Sequence, residues 1–316
     1  MSVKGGQLGD FHLVQSGIAG AGHKRYIGER FSCRFCGRSS ETVTFKKKAH
    51  AIPEFLGNHQ LILNSECDSC NEHFGNTIEP HLEKYTLPFR ALAGVTNKAR
   101  KTPRHSDKKI GALQMDRHTN NLTVTLSDDD VVKFGDRNLI SWGMERKPFV
   151  PYLAHKALCK IACSVIDESF LQFFEPTLDW LNPLNTHDIG ITPTLVVETL
   201  TPGAKYNSCV YRLYLRNTNT FPHCLFWIAF GSYALMTVVP TRLDLKEGID
   251  LLSEVPYVPD SRSEEEIVKF GHQVHVEHDF SSREFMSLPH EVYMKFSSIE
   301  EATPLHTNVK SNIDIT

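Results

Sequence analysis

The apolar residues of this chain follow two spacings, and each spacing predicts a different type of element. Between residues 151 and 182 they recur three and four positions apart, as at Ala154, Leu158, Ile161 and Val165, which predicts helix. From residue 194 onward there are four apolar runs, TLVVETL, CVYRLYLR, HCLFWIAFG and YALMTVV, which predict an antiparallel sheet. VYRLYLR alternates strictly, so we expect one face of that strand to be wet.

Shorter patterns predict the remaining elements. LQMD, LTVTL and VVKFG, between residues 113 and 135, indicate a small meander of strands. A helix is expected from near Cys70 through Ile78 towards Leu92, interrupted by prolines, and a short one at Glu264 to Phe270. The fold class predicted is therefore α+β, with a mainly antiparallel sheet in the C-terminal part.

Composition divides the chain into four segments. Residues 1–30 are rich in glycine with little pattern, which predicts a flexible arm, and residues 95–109 have the composition of a basic linker. We therefore predict one domain at 31–94 and a larger one at 110–316. No run of 18 apolar residues is present, and the N-terminus lacks a secretion pattern, so we expect no membrane span, reduced cysteines and a cytoplasmic location.

Cysteine spacing is the strongest chemical signal in the chain. Cys33 and Cys36 form one CxxC pair and Cys67 and Cys70 another, with 30 residues between the pairs. In a chain without a secretion signal this spacing favours a four-thiolate zinc site over disulfides. Such a site leaves no open position for water, so the zinc would be structural.

The residues between and after the cysteines resemble a known family. The order Cys-x2-Cys, His-x-Ile-Pro, Cys-x2-Cys-Asn, then Gly75 and Glu79, is similar to HNH endonucleases of the ββα-metal (His-Me finger) class. It is most similar to the branch whose core is bracketed by CxxC pairs, often found in bacterial anti-phage defence systems. The resemblance spans residues 31 to 94 and implies a zinc-stabilised hairpin and helix around a second, catalytic metal.

The resemblance also assigns roles within this segment. His50 would be the general base, because an imidazole takes a proton from water near neutral pH. Asn71 would be an oxygen ligand of a catalytic Mg²⁺ or Mn²⁺, which neutralises charge on the phosphoryl group. For the asparagine that orients the base we prefer Asn64 over Asn58.

The chain departs from the family directly before the base. That position usually holds Asp, Glu or His and binds the metal, whereas here it is Ala49. Glu79 lies eight residues after Asn71, close to two helical turns, so it could share that helix face and replace the missing ligand. Glu54 and His73 are weaker candidates.

Charge is distributed unevenly along the chain. Residues 1–110 contain 17 Lys and Arg against 10 Asp and Glu, and residues 111–316 contain 17 against 27. A basic half suits a polyanionic substrate such as DNA, and the run Lys46, Lys47 and Lys48 before His50 is the expected phosphate contact. The acidic half is better suited to regulation, oligomerisation or sensing of a partner protein or nucleotide signal.

These observations predict a metal-dependent HNH endonuclease that cleaves or nicks DNA, an effector of anti-phage defence gated by its C-terminal domain. The alternative is a catalytically inactive zinc-finger module that binds nucleic acid or regulates, in which Ala49 marks a dead site. A restriction or homing nuclease with its own base-reading domain fits less well, because such domains are usually basic.

Overall fold

A large antiparallel sheet forms the centre of the molecule. The computed structural model describes residues 8–20, 22–96, 101–107, 111–116, 119, 121–125, 132–135, 139–185, 195–203, 206–218, 221–244, 255–295 and 313–314. The helices are α1 (Asp68–Thr77), α2 (Glu79–Leu92), α3 (Pro151–Val165), α4 (Glu175–Leu181) and α5 (Glu264–Phe270), with short 3-10 helices at Glu54–Leu56 and Glu168–Phe174.

The strands are β1 (Phe11–Ala19), β2 (Arg25–Ile27), β3 (Leu61–Leu63), β4 (His105–Asp107), β5 (Gly111–Asp116), β6 (Asn121–Thr125), β7 (Val132–Gly135), β8 (Leu139–Glu145), β9 (Leu195–Leu200), β10 (Tyr206–Arg216), β11 (Cys224–Gly231), β12 (Tyr233–Val238), β13 (Val274–Asp279), β14 (Pro289–Lys295) and β15 (Ile313–Asp314). The mixture of helices with mainly antiparallel strands confirms the predicted α+β class. Among the described residues, no helix has the length and apolar character needed to span a bilayer.

Six of these strands pair antiparallel in the order β1-β10-β11-β12-β9-β13. The two central strands, β11 and β12, are buried along their whole length. Alternate residues of β11 belong to separate apolar clusters, Phe226 and Ile228 to one and Leu225 and Trp227 to the other. Both faces of the sheet are therefore covered, which explains why HCLFWIAFG is a continuous apolar run rather than an alternating one.

Two strand predictions differ from the structure. β10 does not have a wet face, because Tyr214 is buried and the guanidinium of Arg212 lies over the ring of Trp227, with its central carbon 4.9 Å from the ring centroid. The predicted meander is divided between two sheets, since β5 pairs with β6 whereas β7 pairs with β8. The apolar pattern within one segment predicts that the segment forms a strand. It does not predict the neighbouring strand, because that depends on packing across the sheet.

The N-terminal segment also differs from the flexible arm expected for residues 1–30. β1 is an edge strand of the large sheet and pairs with β10 from Phe11 opposite Arg216 to Ala19 opposite Cys209. A register shift between Leu13 and Gln15 interrupts the pairing. An irregularity of this kind breaks the two-residue alternation from which a strand is recognised in sequence.

The main apolar cluster crosses the predicted domain boundary. Phe74 and Phe89, from the 31–94 segment, belong to the same cluster as Ile161 of α3 and Phe230 of β11. Within the predicted linker, β4 pairs with β5, and residues 97–100 and 108–110 lie outside the described part. The division at residues 94 and 110 is thus a change in composition, whereas the packing is continuous across it.

A buried ion pair joins the large sheet to the chain before α3. Arg146 Nη2 donates to Glu198 Oε2 at 2.6 Å, and the same oxygen accepts from the hydroxyls of Tyr85 at 2.6 Å and Tyr233 at 3.0 Å. All four residues are at most 2% exposed. Burial, and then the Glu198 charge, raise the pKa of both tyrosines well above its ordinary value, so both stay protonated donors.

We predict that Glu198→Gln destabilises the fold by about 3–5 kcal/mol, because it leaves the buried Arg146 cation without its counter-charge. Urea unfolding would measure the loss. The double variant Glu198→Gln/Arg146→Met should recover part of it, since no unpaired charge remains. Glu277→Gln on the exposed side of β13 is the control and should stay within about 0.5 kcal/mol. A loss at Glu198 no larger than the control's would contradict the prediction.

Candidate active site and metal centre

Two cysteine knuckles bring four sulfur atoms together. In the first, the Gly37 amide donates to the Cys33 carbonyl at 2.8 Å and the Cys33 amide to the Arg38 carbonyl at 2.9 Å, which closes a tight turn. Gly37 adopts a positive φ of 68°, which glycine tolerates best. In the second, Cys67 directly precedes α1, without a capping hydrogen bond from its side chain, and Cys70 lies in the first turn of the helix. All four Sγ atoms lie within 4.8 Å of one another.

The arrangement of these sulfurs fits a tetrahedral zinc ion. Zn–S bonds of about 2.3 Å place the sulfurs of a tetrahedron about 3.8 Å apart, and Cys36 Sγ lies 3.8 Å from Cys67 Sγ. The Cys67 amide donates to Cys33 Sγ at 3.4 Å, and Arg38 Nε donates to Cys36 Sγ at 3.5 Å. The hydrogen bond between Cys70 and Cys33 lowers the pKa of Cys33 and raises the pKa of Cys70, while burial raises the pKa of Cys67. Binding of a zinc ion would favour the thiolate form of all four sulfurs.

Asp68 holds the basic loop against the start of α1. Its carboxylate accepts from the Thr44 hydroxyl at 2.5 Å and from the amides of Lys46 at 3.1 Å and Lys47 at 2.7 Å. Partial burial opposes ionisation, but the hydrogen bonds from Thr44 and the loop amides lower the pKa of Asp68 overall. The Lys47 ammonium pairs with Glu72 at 2.8 Å, while Lys46 and Lys48 are exposed.

His50 lies in a small three-stranded sheet directly before α1. Residues 49–51 run antiparallel to β3: the Ala51 amide donates to the Leu61 carbonyl at 3.1 Å, and His50 stands opposite Ile62. β2 runs parallel to the other side of β3, with Tyr26 opposite the same Ile62. With α1 following β3, this segment has the order of a hairpin and a helix, as expected from the resemblance.

The two faces of the small sheet have different environments. Residues opposite each other on neighbouring strands point to the same face, and successive residues to opposite faces. Ala51, Leu61 and Leu63 belong to the main apolar cluster, so they define the core face. His50, between Ala49 and Ala51, is therefore on the outer face, and its side chain is 17% exposed.

This alternation explains the unusual residue before the base. Ala49 is 1% exposed and points away from the face that carries His50. A carboxylate at position 49 would be buried on the side opposite the imidazole. In this chain position 49 is therefore a packing position, and any acidic ligand near His50 has to come from another part of the sequence.

Asn58 holds the loop that connects His50 to β3. Its amide Nδ2 donates to the carbonyls of Ile52 at 2.7 Å and Leu61 at 2.9 Å, and its Oδ1 accepts from the amides of Gln60 and Leu61. Asn58 is fully buried. Asn64, which we preferred for orienting the base, instead accepts from Arg30 Nε at 3.3 Å. The contacts thus favour Asn58, because it joins both ends of the loop that positions His50.

Glu54 places a carboxylate beside the candidate base. It begins the 3-10 turn after Pro53, and its Oε1 lies 3.6 Å from His50 Nε2 and 3.8 Å from His59 Nδ1. The three side chains are 17–24% exposed, so a ligand can reach them from solvent. Among the described residues only the four cysteines converge closely enough to hold a metal ion by themselves, so a cation beside Glu54 would need further oxygen ligands from Asn71, water or substrate.

The other expected ligands have different environments. Asn71 lies on α1 directly after Cys70, and its side chain makes no hydrogen bond within the described part of the chain. Glu79 is instead the first residue of α2, and its Oε1 accepts from Lys160 Nζ at 3.2 Å. The expectation that Glu79 shares the face of Asn71 assumed one continuous helix. The helix is interrupted at Ile78, next to Pro80, which has no amide hydrogen to donate.

Sequence reasoning undervalued two residues of this site. Glu54 was a weaker candidate and His59 was not considered, because they lie in an irregular loop where helical and strand spacings do not apply. The available signal was the loop itself: Pro53 and Gly57 enclose Glu54 in a turn that brings position 54 back towards position 50.

The comparisons with known proteins agree with this geometry. Residues 33–87 match the family model described as HNH endonuclease, about a sixth of the chain. No curated protein and no solved structure matches significantly. The matched segment contains all four cysteines, His50, Asn58 and Asn71. An HNH domain near the N-terminus suggests a nuclease, and the remaining residues have no such assignment.

We predict that the purified protein contains about one tightly bound zinc per chain, because four thiolates form a closed tetrahedral site. Cys70→Ser should lose the ion and expose the amides of residues 31–65 to hydrogen exchange. Cys209→Ala removes a buried thiol outside the cluster and should leave the zinc content unchanged. Metal analysis and hydrogen exchange would test this. A zinc-free wild-type protein with protected knuckles would contradict it.

Proposed function

We propose that this protein is a metal-dependent HNH endonuclease that cleaves or nicks DNA. The observation that carries the proposal is the position of His50. His50 is the only titratable side chain among residues 49–51, and it lies on the outer face of the small sheet. Residues 49–51 and β3 lie between the two cysteine pairs in the sequence. The Glu54 carboxylate is 3.6 Å from His50 Nε2. The match of residues 33–87 to the HNH family supports the same reaction class.

In this proposal His50 is the general base. A neutral imidazole accepts a proton from the attacking water, and the hydrogen bonds of Asn58 keep the loop after His50 in place. The attacking oxygen then forms a bond to phosphorus as the 3′-oxygen leaves. Positioning of the base beside the phosphate is what this fold contributes, because the reaction needs water and phosphate in one geometry.

Asn71 and Glu54 are the residues we propose to hold a catalytic Mg²⁺ or Mn²⁺. Glu54 is preferred over Glu79, because the carboxylate of Glu79 is bound to Lys160 whereas that of Glu54 is next to His50. When bound, the cation neutralises charge on the phosphoryl group and on the departing oxygen. Oxygen donors at a partly exposed position suit a cation that retains several waters.

DNA is the substrate that we propose from the charge of the region. Lys46 and Lys48 are exposed on a loop whose backbone Asp68 fixes through the amides of Lys46 and Lys47, four and three residues before His50. Phosphate contacts of this kind supply most of the sequence-independent affinity for nucleic acids. Lys47 is paired with Glu72, so its phosphate contact would require this exposed ion pair to open.

We also propose that the C-terminal part gates the nuclease in the cytoplasm, in response to a partner protein or a nucleotide signal. Two buried cations support a physical connection. Arg34, between the first two cysteines, donates to the carbonyls of Cys163 and Ile166 at the end of α3. Lys160 of α3 pairs with Glu66 at 3.1 Å and with Glu79. A shift of α3 would therefore reach both knuckles. A role in bacterial anti-phage defence rests on the family resemblance alone.

The alternative function is an inactive zinc module that binds nucleic acid. One observation favours it: position 49 points to the core and Glu79 is bound to Lys160, so two expected metal ligands are absent from the site. The two proposals predict different outcomes of one experiment. In the presence of the activating signal the nuclease cleaves DNA, whereas the zinc module does not.

We predict that His50→Ala abolishes nicking of supercoiled plasmid in Mg²⁺ or Mn²⁺ and leaves the fold intact, because a partly exposed histidine contributes little packing. Loss of a general base costs about 10²- to 10⁴-fold in rate. His12→Ala is the control, since it removes an exposed imidazole of β1 that lies outside residues 33–87. The reactions include a cell extract as the source of the activating partner protein or nucleotide signal. Cleavage by His50→Ala at the wild-type rate would refute the assignment, and an inert wild type would favour the zinc module.

We predict that Asn71→Ala and Glu54→Gln lower the nicking rate and that higher Mn²⁺ partly restores it, as expected when a metal ligand is lost rather than a base. Glu79→Gln should leave the metal dependence unchanged, since its carboxylate binds Lys160 instead. Titrating the rate against Mn²⁺ for the three variants distinguishes them. A shifted metal dependence in Glu79→Gln but not in Glu54→Gln would reverse the assignment.

A further inference from the structure

We propose that Tyr26 is a stacking platform for an unpaired base of the DNA substrate, next to the phosphate that His50 attacks. This inference rests on the proposed nuclease function and makes it more specific. It assigns as substrate class DNA with at least a short single-stranded or opened stretch at the cleavage site.

The register of the small sheet places Tyr26 on the same face as the candidate base. His50 and Tyr26 both stand opposite Ile62, one from each neighbouring strand. Their side chains therefore point to the same side, with backbones two strand spacings, about 10 Å, apart. Ile62, between them, is 2% exposed, so neighbouring side chains cover it on this face.

Tyr26 is an exposed aromatic residue of β2, a strand that is largely open to solvent. Its relative exposure is 56%, although its strand neighbour Ile27 packs against the core. Within the described residues it makes no hydrogen bond and no ring or cation contact. Because the side chain is more than half exposed, a flat face of the ring is available to a ligand.

The charges around Tyr26 favour a nucleic acid over an apolar protein partner. Lys24 and Arg25 precede it and Arg30 follows, all exposed, with Glu29 as the one exposed acid between them. Arg25 donates to the Ile18 carbonyl, which holds β2 in place, and Lys24 extends into solvent. An aromatic ring among cations is the arrangement with which proteins bind single strands, because the ring stacks on a base while the cations contact phosphates.

An unpaired base is required because base faces are stacked inside a duplex. A tyrosine beside the attacked phosphate can contact a base face only where the stack is open. The Lys46–Lys48 loop makes no such distinction, since phosphates are exposed in both forms. Tyr26 therefore favours single-stranded DNA, whereas the lysine loop contributes to both forms.

The experiment measures binding of full-length protein to a fluorescent single-stranded oligonucleotide and to a duplex of the same sequence. The His50→Ala background keeps the DNA intact. Tyr26→Ala should weaken single-strand binding by about 5- to 100-fold, with an unchanged salt slope and little effect on the duplex. Tyr26→Phe should keep the wild-type affinity. Replacing Lys46, Lys47 and Lys48 with Ala should instead lower the salt slope for both DNA forms.

Phe285→Ala is the matched control, because Phe285 is an aromatic residue with 65% exposure whose ring packs against His81 of α2. It should bind both DNA forms like the parent protein. Unchanged single-strand binding by Tyr26→Ala, or an equal loss on single strand and duplex, would overturn the stacking role while nicking by the wild type still supports the nuclease. A wild type that neither binds nor nicks DNA would overturn both proposals.

Discussion

The candidate site depends on the convergence of four cysteine sulfurs. The sequence between the two CxxC pairs contributes Phe45, Ile52, Leu56, Leu61 and Leu63 to the main apolar cluster, and short-range hydrogen bonds and the knuckles at either end fix its loops. Without a metal, four thiols within 4.8 Å of one another would contribute little cohesion, and as thiolates they would repel each other. A zinc ion bound by the four sulfurs would replace this repulsion with a constraint that holds the hairpin against α1.

The sequence predicted the chemistry of this segment better than its geometry. CxxC spacing was sufficient to locate the four sulfurs, and the His-Ala-Ile-Pro motif singled out His50 and Asn71 as candidates, because these features depend on a few residues at fixed separations. The contacts of Asn58, Glu54 and Glu79 could not be predicted, since they depend on a turn at Pro53, a helix break beside Pro80 and a lysine 81 residues away in α3. Spacing rules describe regular elements, and these three residues lie where the elements begin or end.

For the fold, the same limit applies at a larger scale. The central strands β11 and β12 and the helix α5 could be recognised, because continuous burial and a Ser263–Glu266 capping box leave local signals. The order of the strands in the sheet could not be recognised from local signals of this kind. β9 lies beside β12 rather than β10, and the edge strand β1 comes from a segment with irregular alternation, so only packing of both faces decides their positions.

The pairing of β1 with β10 has a consequence for how the chain folds during synthesis. Phe11 is opposite Arg216, so more than two hundred residues have to be synthesised after β1 before its partner strand exists. Contacts of such long sequence separation are slow to form, and an unpaired strand with exposed Leu13 and Ile18 is prone to pair wrongly in the interval. The cysteine knuckles, in contrast, lie between Cys33 and Cys70, so all four ligands are present within a short stretch of chain. During synthesis the four cysteines are therefore all present long before the large sheet can form. β1 can pair only after β10 has been made.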